Sequence, residues 1–187
     1  ALVSIPAIAA FLAGYSSGRQ PLISAIQAIS KALGYIIPMI TGVLAAAFTA
    51  GTLNINGIIQ EQNSSAGLFG WYFIPQIIGC AVFFICTLAL LNCLAFNLSK
   101  SENAMISSCV DKYSGLKYEF FMLSKRVLLL SISAFFVCIY FGGYLSPFGT
   151  YILPDFLIPM EQWFWLILKT FLIIFFIILI NFSSFSF

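Results

Sequence analysis

Long apolar stretches alternate with short polar ones along this chain of 187 residues. Each apolar stretch is continuous and close to the roughly 20 residues that a helix needs to cross a bilayer. The strands of a membrane barrel would instead alternate apolar and polar positions over about ten residues. The pattern therefore predicts an all-α fold, a polytopic bundle in a single membrane domain over residues 1–187. About five transmembrane helices are predicted, at residues 1–14, 33–51, 77–97, 127–145 and 163–181.

The composition changes where function should be sought. Apolar residues make up 61% of the chain and charged residues only 7%, so it cannot be a water-soluble globule with a polar shell. Eight of the 14 charged residues lie between Lys100 and Arg126. Because polar groups at a bilayer boundary are costly and seldom without a role, we expect the function to lie in the loop at residues 98–126.

The signs of the charges predict an orientation. Loops 15–32 and 98–126 carry seven basic residues, whereas loops 52–76 and 146–162 carry acidic residues and no basic one. Basic residues concentrate on the inner side of membrane proteins. Loop 98–126 is therefore predicted to face the matrix in a mitochondrion, or the cytoplasm in a bacterium.

Several kinds of chemistry are excluded by the residues present. The chain has no histidine, so His-ligated haem or zinc and His-based acid–base catalysis cannot reside in it. Its five cysteines show no metal-ligand spacing. Glycine-rich phosphate loops, nucleophile elbows and nucleic-acid-binding helices are absent from the sequence. We therefore predict no catalytic residue, no bound metal and no nucleic-acid partner for this chain.

The residue order within the polar loop is more specific. Asn92 and Phe96 come just before it, and the loop itself contains Leu98 and Glu102, followed by Tyr113-Ser114-Gly115-Leu116-Lys117. In this order the segment resembles the inner loop of the quinone-site membrane subunit of NADH:quinone oxidoreductase, which is subunit 1 of respiratory complex I. Further fragments follow in the family's order: Tyr35 with Pro38, Ala50-Gly51-Thr52-Leu53-Asn54, Gln62, Phe141-Gly142-Gly143-Tyr144, Trp163-Phe164-Trp165 and Lys169-Thr170.

The resemblance implies a core membrane subunit of a proton-translocating NADH dehydrogenase of the respiratory electron transport chain. Ubiquinone is then the substrate, and flavin and iron–sulfur clusters belong to other subunits. The implied partners are the peripheral quinone-module subunits and membrane lipid. Many phenylalanines and isoleucines suggest an AT-rich gene, so we expect a multi-pass protein of the mitochondrial inner membrane. The implied quinone-cavity residues are Asn92, Phe96, Glu102, Tyr113 and Lys117.

Departures from the family pattern fall mainly on titratable positions. Where the family has carboxylates, this chain has among others Ile36, Leu90, Asn97 and Ala104, and Glu102 is the one acid of the set left in place. The family's arginines are replaced by Gln27 and Cys93, and two further acids by Lys112 and Lys125. Because a proton path needs groups that bind and release protons, the resemblance implies the fold more firmly than it implies proton coupling.

Alternatives remain open at this point. The resemblance covers the middle and later part of the family's chain, so either the gene is split, with other polypeptides supplying the remaining helices, or the chain is a divergent remnant; we favour the split. The competing functions are a core subunit, a structural remnant of the same complex without proton coupling, and an unrelated membrane transporter.

Individual residues also have simpler interpretations. Glu102 and Tyr113 fit cavity lining and loop structure equally well. Gly142-Gly143 is expected to mark close helix packing rather than a hinge. Lys169, inside the last apolar stretch, is expected to extend toward the outer surface, with Glu161 as its nearest candidate partner.

Overall fold

The structure is a computed structural model, and it describes residues 8, 12, 15, 19–64, 70–91, 115–147 and 158–184. Within these residues it contains five α-helices and no strand, which confirms the predicted all-α class. In chain order they are α1 (Arg19–Ala50), α2 (Ile55–Ser64), α3 (Ile77–Leu90), α4 (Leu116–Tyr140) and α5 (Ile158–Ser184).

Three helices contain segments that are long and apolar enough to cross a membrane. These segments are Ile29–Ala50, Leu123–Tyr140 and Ile158–Ser183. At about 1.5 Å of rise per residue, such lengths match a hydrocarbon core of about 30 Å. Helix α3 is also apolar but has only 14 residues.

The helices differ from the predicted spans mainly at their ends. Helix α1 begins at Arg19, so much of the predicted loop 15–32 is helical, and it continues through Pro38. Helix α4 ends at Tyr140, before the predicted end of span 127–145, because Gly142 and Gly143 adopt φ values of 68° and 50° that a right-handed helix cannot contain.

The other three predicted spans overlap the described residues to different extents. Predicted span 163–181 lies inside α5. Span 77–97 corresponds to α3 as far as Leu90, and its later residues from 92 onward lie outside the described part. Span 1–14 also lies outside it, except for Ile8 and Leu12. Helix α2 was not predicted; it is a short helix with a polar exposed face, within the loop at 52–76.

The core lies where α1, α3 and α4 meet. Phe83 of α3 is fully buried, and its ring packs against Phe136 and Tyr140 of α4, with ring centres 5.4 and 6.0 Å apart. Phe84, one residue further along α3, packs against Phe136 and against Phe176 of α5. These aromatic contacts hold three helices together.

Helix α1 approaches the others through small side chains. Ala46 and Ala47 are buried, and a Cβ atom added to Gly42 would lie 3.2 Å from the carbonyl oxygen of Gly79 in α3. Small residues allow helix backbones to come this close in a membrane. The faces of α1 and α3 that point away from the core carry large apolar side chains: Phe48 of α1 and Ile78 of α3 are each 82% exposed. A surface of this kind is suited to lipid or to other membrane helices.

Candidate functional site

Most residues that the sequence predicts for a quinone cavity belong to the segment between α3 and α4. Asn92, Phe96, Glu102 and Tyr113 lie outside the described residues. Lys117 belongs to the first turn of α4, but its side chain is likewise outside the described part. Their assignment to a quinone cavity therefore stays a prediction.

The helices on either side fix where this segment begins and ends. Gly79 lies beside Tyr140, whereas Phe84 packs against Phe136, so α3 and α4 run antiparallel. The end of α3 at Leu90 and the start of α4 at Leu116 are therefore at the same end of the bundle. We call this end of the bundle the loop end. The other end, which contains Trp71 and Tyr140, is called the opposite end.

The described part of the chain includes two positions at which the family has a carboxylate and this chain does not. Leu90 is half-buried and packs against the core, and Ile36 is half-buried on α1. Neither side chain can bind or release a proton.

The opposite end contains buried polar side chains that bond to main-chain carbonyls. Gln62 of α2 is 1% exposed, and its Nε2 donates to the carbonyl of Ile139 at 2.8 Å. The Oε1 of Gln62 is buried without a hydrogen-bond partner. Gln76, just before α3, donates to the carbonyl of Ala45 at 2.8 Å. These bonds tie α2 to the end of α4, and the start of α3 to α1.

Tyr140 and Tyr72 complete the polar contacts with α1. The hydroxyl of Tyr140 donates to the carbonyl of Gly42 at 2.9 Å. Tyr72, in the turn before α3, shares a hydrogen bond with Thr49. Burial raises the pKa of the Tyr72 phenol above its usual range, the bond with Thr49 opposes that rise, and the nearby charge of Glu61 adds to it.

An open groove of about 730 Å³ runs between α1 and α3 at this opposite end. It is lined in part by Gly42, Ala45, Gln76 and Gly79. The groove is at the end away from Leu90 and Leu116.

Lys169 donates three hydrogen bonds at the opposite end. Its ammonium group donates to the carbonyls of Phe141, Gly143 and Leu145, at 2.8, 3.2 and 2.7 Å. The same nitrogen lies 4.2 Å from the ring centre of Trp71. The partial negative charge at the end of a helix favours a cation at this place.

This arrangement shows that the expectation for Lys169 was wrong. The side chain is only 8% exposed, and its ammonium group bonds to carbonyls of the residues that follow α4, so it does not reach water at the surface. Glu161 is itself buried, and its carboxylate accepts a hydrogen bond from Trp165 at 3.4 Å. The signal that could have identified the true partner is Gly142-Gly143, since residues that end a helix leave carbonyls without helical partners.

The described residues offer no evident metal centre. Among them, no three His, Cys, Asp or Glu side chains lie close enough together to hold a metal ion. Cys80, Cys86 and Cys138 are free thiols.

The chain is similar in sequence to a known protein family along nearly its whole length. The family described as NADH dehydrogenase matches residues 1–186. NADH-quinone oxidoreductase subunit 8 of Rhodothermus marinus is 32% identical over 157 residues, which cover 83% of this chain and 46% of that protein. An NADH-quinone oxidoreductase subunit of Parvibaculum lavamentivorans is 31% identical over 176 residues, which cover 94% of this chain and 50% of that protein.

A third relative, an NADH-quinone oxidoreductase subunit of Salinibacter ruber, is 32% identical over 148 residues, or 79% of this chain and 43% of that protein. The chain therefore spans about half the length of the curated relatives that it matches.

Proposed function

The chain belongs to the NADH dehydrogenase family, and on this premise we propose that it is a core membrane subunit of an NADH–quinone oxidoreductase, respiratory complex I. The observation that carries the proposal is the family match over residues 1–186, which includes the polar segment between α3 and α4. The chain acts within the enzyme complex and is not catalytic alone. Its apolar outer surface suits a protein that is enclosed by lipid and by other membrane subunits.

Within the complex, the loop end is our candidate for the quinone cavity and for the junction with the peripheral arm. The segment leaves α3 at Leu90 and enters α4 at Leu116, and these two residues are at the same end of the bundle. Asn92, Phe96, Glu102, Tyr113 and Lys117 are the proposed lining residues. Ubiquinone is the proposed substrate, and electrons reach it from flavin and iron–sulfur clusters on partner subunits.

Proton transfer near this cavity depends on few groups of this chain. Ile36 and Leu90 are apolar, and Asn97 and Ala104 cannot titrate either. A carboxylate is a common intramembrane proton carrier, and Glu102 is the one that stands at a family position. We therefore propose that most protons used in quinone reduction come from neighbouring subunits. The proposed location is the mitochondrial inner membrane, as a multi-pass protein.

Purification tests membership of the complex. A tagged chain, extracted in mild detergent and separated on a native gel, should migrate in a very large assembly that stains for NADH dehydrogenase activity. A chain that migrates alone, while that activity runs elsewhere, would contradict the proposal.

Two substitutions test the role of the loop end. Glu102→Gln should lower coupled turnover only modestly, with Glu119→Gln, an exposed acid in the first turn of α4, as the matched control. Gly115→Leu should damage quinone reduction, because Gly115 precedes α4 with φ 69°, where any side chain is strained. NADH:quinone activity and proton translocation should be measured in parallel.

The outcomes separate the proposal from its alternative. Complete loss of pumping in Glu102→Gln at normal electron transfer would show that this chain carries an essential proton path. Unchanged quinone reduction in both loop variants, in fully assembled complex, would favour a structural remnant that anchors the assembly without shaping the cavity.

A further inference from the structure

We infer that the turn Phe141–Leu145 and the indole of Trp71 form a binding site for a primary ammonium group, which Lys169 fills from within the chain. An ammonium group has three N–H donors and no acceptor. The structure gives Lys169 three carbonyl acceptors, those of Phe141, Gly143 and Leu145, all within hydrogen-bond distance. The number of acceptors therefore equals the number of donors.

The site is built from buried main chain. Its carbonyls belong to residues after the end of α4, where they are free of the helical hydrogen-bond pattern. The turn is held by its own bonds, from the Gly143 amide to the Val137 carbonyl at 3.1 Å and from the Leu145 amide to the Gly142 carbonyl at 2.9 Å. Positive φ values at Gly142 and Gly143 allow the chain to bend here.

The aromatic wall adds selectivity for a cation. Trp71 is 9% exposed, and its ring lies 4.2 Å from the ammonium nitrogen. Tryptophan is the strongest cation–π partner among the aromatic side chains. A ring in this position is attracted to an ammonium group but cannot accept a strong hydrogen bond, so it suits a nitrogen whose three N–H groups already have acceptors.

The acceptor geometry distinguishes an ammonium group from other cations. Guanidinium donors form a planar fork that suits a carboxylate, rather than three converging carbonyls. Small divalent ions bind oxygen at about 2.0–2.6 Å, shorter than the nitrogen-to-oxygen distances of 2.7–3.2 Å seen here. The group that occupies the site is itself an ammonium, so the ligand class that we infer is a primary amine in its protonated form.

Lys169→Ala provides a direct test, because it removes three carbons and one nitrogen while leaving the carbonyls in place. The missing atoms match n-propylammonium. In detergent-extracted full-chain protein within its native assembly, we expect Lys169→Ala to lower the apparent Tm of this chain by about 5–10 °C, since three charge-assisted bonds are lost. Adding n-propylammonium should restore at least half of that loss, in a saturable manner.

Matched additives and variants identify the cause. 1-Propanol fills the same space without charge, and tetramethylammonium has charge without N–H donors, so neither should restore stability. Lys125→Ala, at an exposed lysine of α4, should change the apparent Tm little and should not respond to any additive. Equal restoration by 1-propanol would overturn the inference, as would a Lys169→Ala protein as stable as the parent.

A second variant keeps the inference testable if Lys169→Ala does not accumulate. Lys169→Arg retains the positive charge but replaces the converging donors with a fork. The ammonium site predicts an apparent Tm at least several degrees below that of the parent. An unchanged Tm in Lys169→Arg would show that charge alone is sufficient and would overturn the inference.

Discussion

The hydroxyl of Tyr140 in α4 lies beside Gly42 of α1 and Gly79 of α3, and this makes a quantitative prediction for Gly79→Ala. A Cβ atom added to Gly79 would lie 3.1 Å from that hydroxyl, which is tighter than an ordinary contact. Its next neighbours are the Oε1 of Gln76 at 3.8 Å and the Cβ of Ala45 at 3.9 Å. The hydroxyl is therefore the only close obstacle among the described residues.

Two effects oppose each other in this substitution. Alanine is favoured over glycine within a helix by about 1 kcal/mol. Added volume in a packed region costs about 1–3 kcal/mol. We expect Gly79→Ala to destabilise the parent protein by up to about 2 kcal/mol, because the Tyr140 hydroxyl is held in place by its bond to the Gly42 carbonyl at 2.9 Å.

Removing the hydroxyl should reverse the sign. Tyr140→Phe alone is expected to cost about 1 kcal/mol, the usual net value of one hydrogen bond. In that background Gly79→Ala meets only ordinary contacts, so it should be neutral or stabilising by up to about 1 kcal/mol. The double-mutant cycle should therefore give a coupling energy of about 1–3 kcal/mol.

Reversible unfolding in detergent micelles, carried out on the four proteins of the cycle, measures this coupling. Gly34→Ala is the matched control, because Gly34 is also within a helix but its added Cβ would have no neighbour within 4 Å. Its effect should be the same with and without the Tyr140 hydroxyl. An equal cost for Gly79→Ala in both backgrounds would refute the reasoning from close approach.

Three further predictions concern the turn after α4, α2 and the polar loop. Gly143→Ala should destabilise the protein by about 1 kcal/mol more than Gly51→Ala. Both glycines have positive φ, but only a Cβ atom at position 143 would meet Ile59, at 2.9 Å. In an Ile59→Val background, unfolding measurements should show no difference between the two substitutions. Gln62→Glu should lower the free energy of unfolding by about 3 kcal/mol or more, because it buries an unpaired charge. The apparent Tm should therefore fall, and the decrease should be largest above neutral pH; an unchanged Tm would contradict the prediction. A cysteine introduced near Lys112 should resist a membrane-impermeant thiol reagent added to the outside of intact mitochondria, and labelling there would contradict the predicted orientation.

Hydropathy was sufficient to predict the helical class, because each long helix must be apolar along a length set by the bilayer. Helix α1 ends at Ala50, just before Gly51 with its positive φ. Hydropathy did not place the end of α4, because Phe141, Tyr144 and Leu145 extend the apolar stretch past Tyr140. Only the backbone conformation of Gly142 and Gly143 ends the helix there.

The partner of Lys169 was missed for a different reason. Charge pairing is visible in a sequence as residue types, and Glu161 was the nearest opposite charge. The actual partners are carbonyl oxygens, which every residue possesses. Their availability depends on where a helix ends, which hydropathy did not predict. Family resemblance, by contrast, identified the family correctly from the order of short motifs.

The buried polar contacts at the opposite end have an evolutionary consequence. Lys169, Gln62 and Tyr140 each donate to a main-chain carbonyl. The residues that supply those carbonyls can drift in sequence without losing the bond, as long as the backbone keeps its course. The requirement for a particular side chain at this end then falls on the donors and on the glycines that shape the backbone. Contacts of this kind tolerate wide divergence in the residues that supply the carbonyls, and this chain and its relative in Rhodothermus marinus differ at about two-thirds of the 157 matched positions.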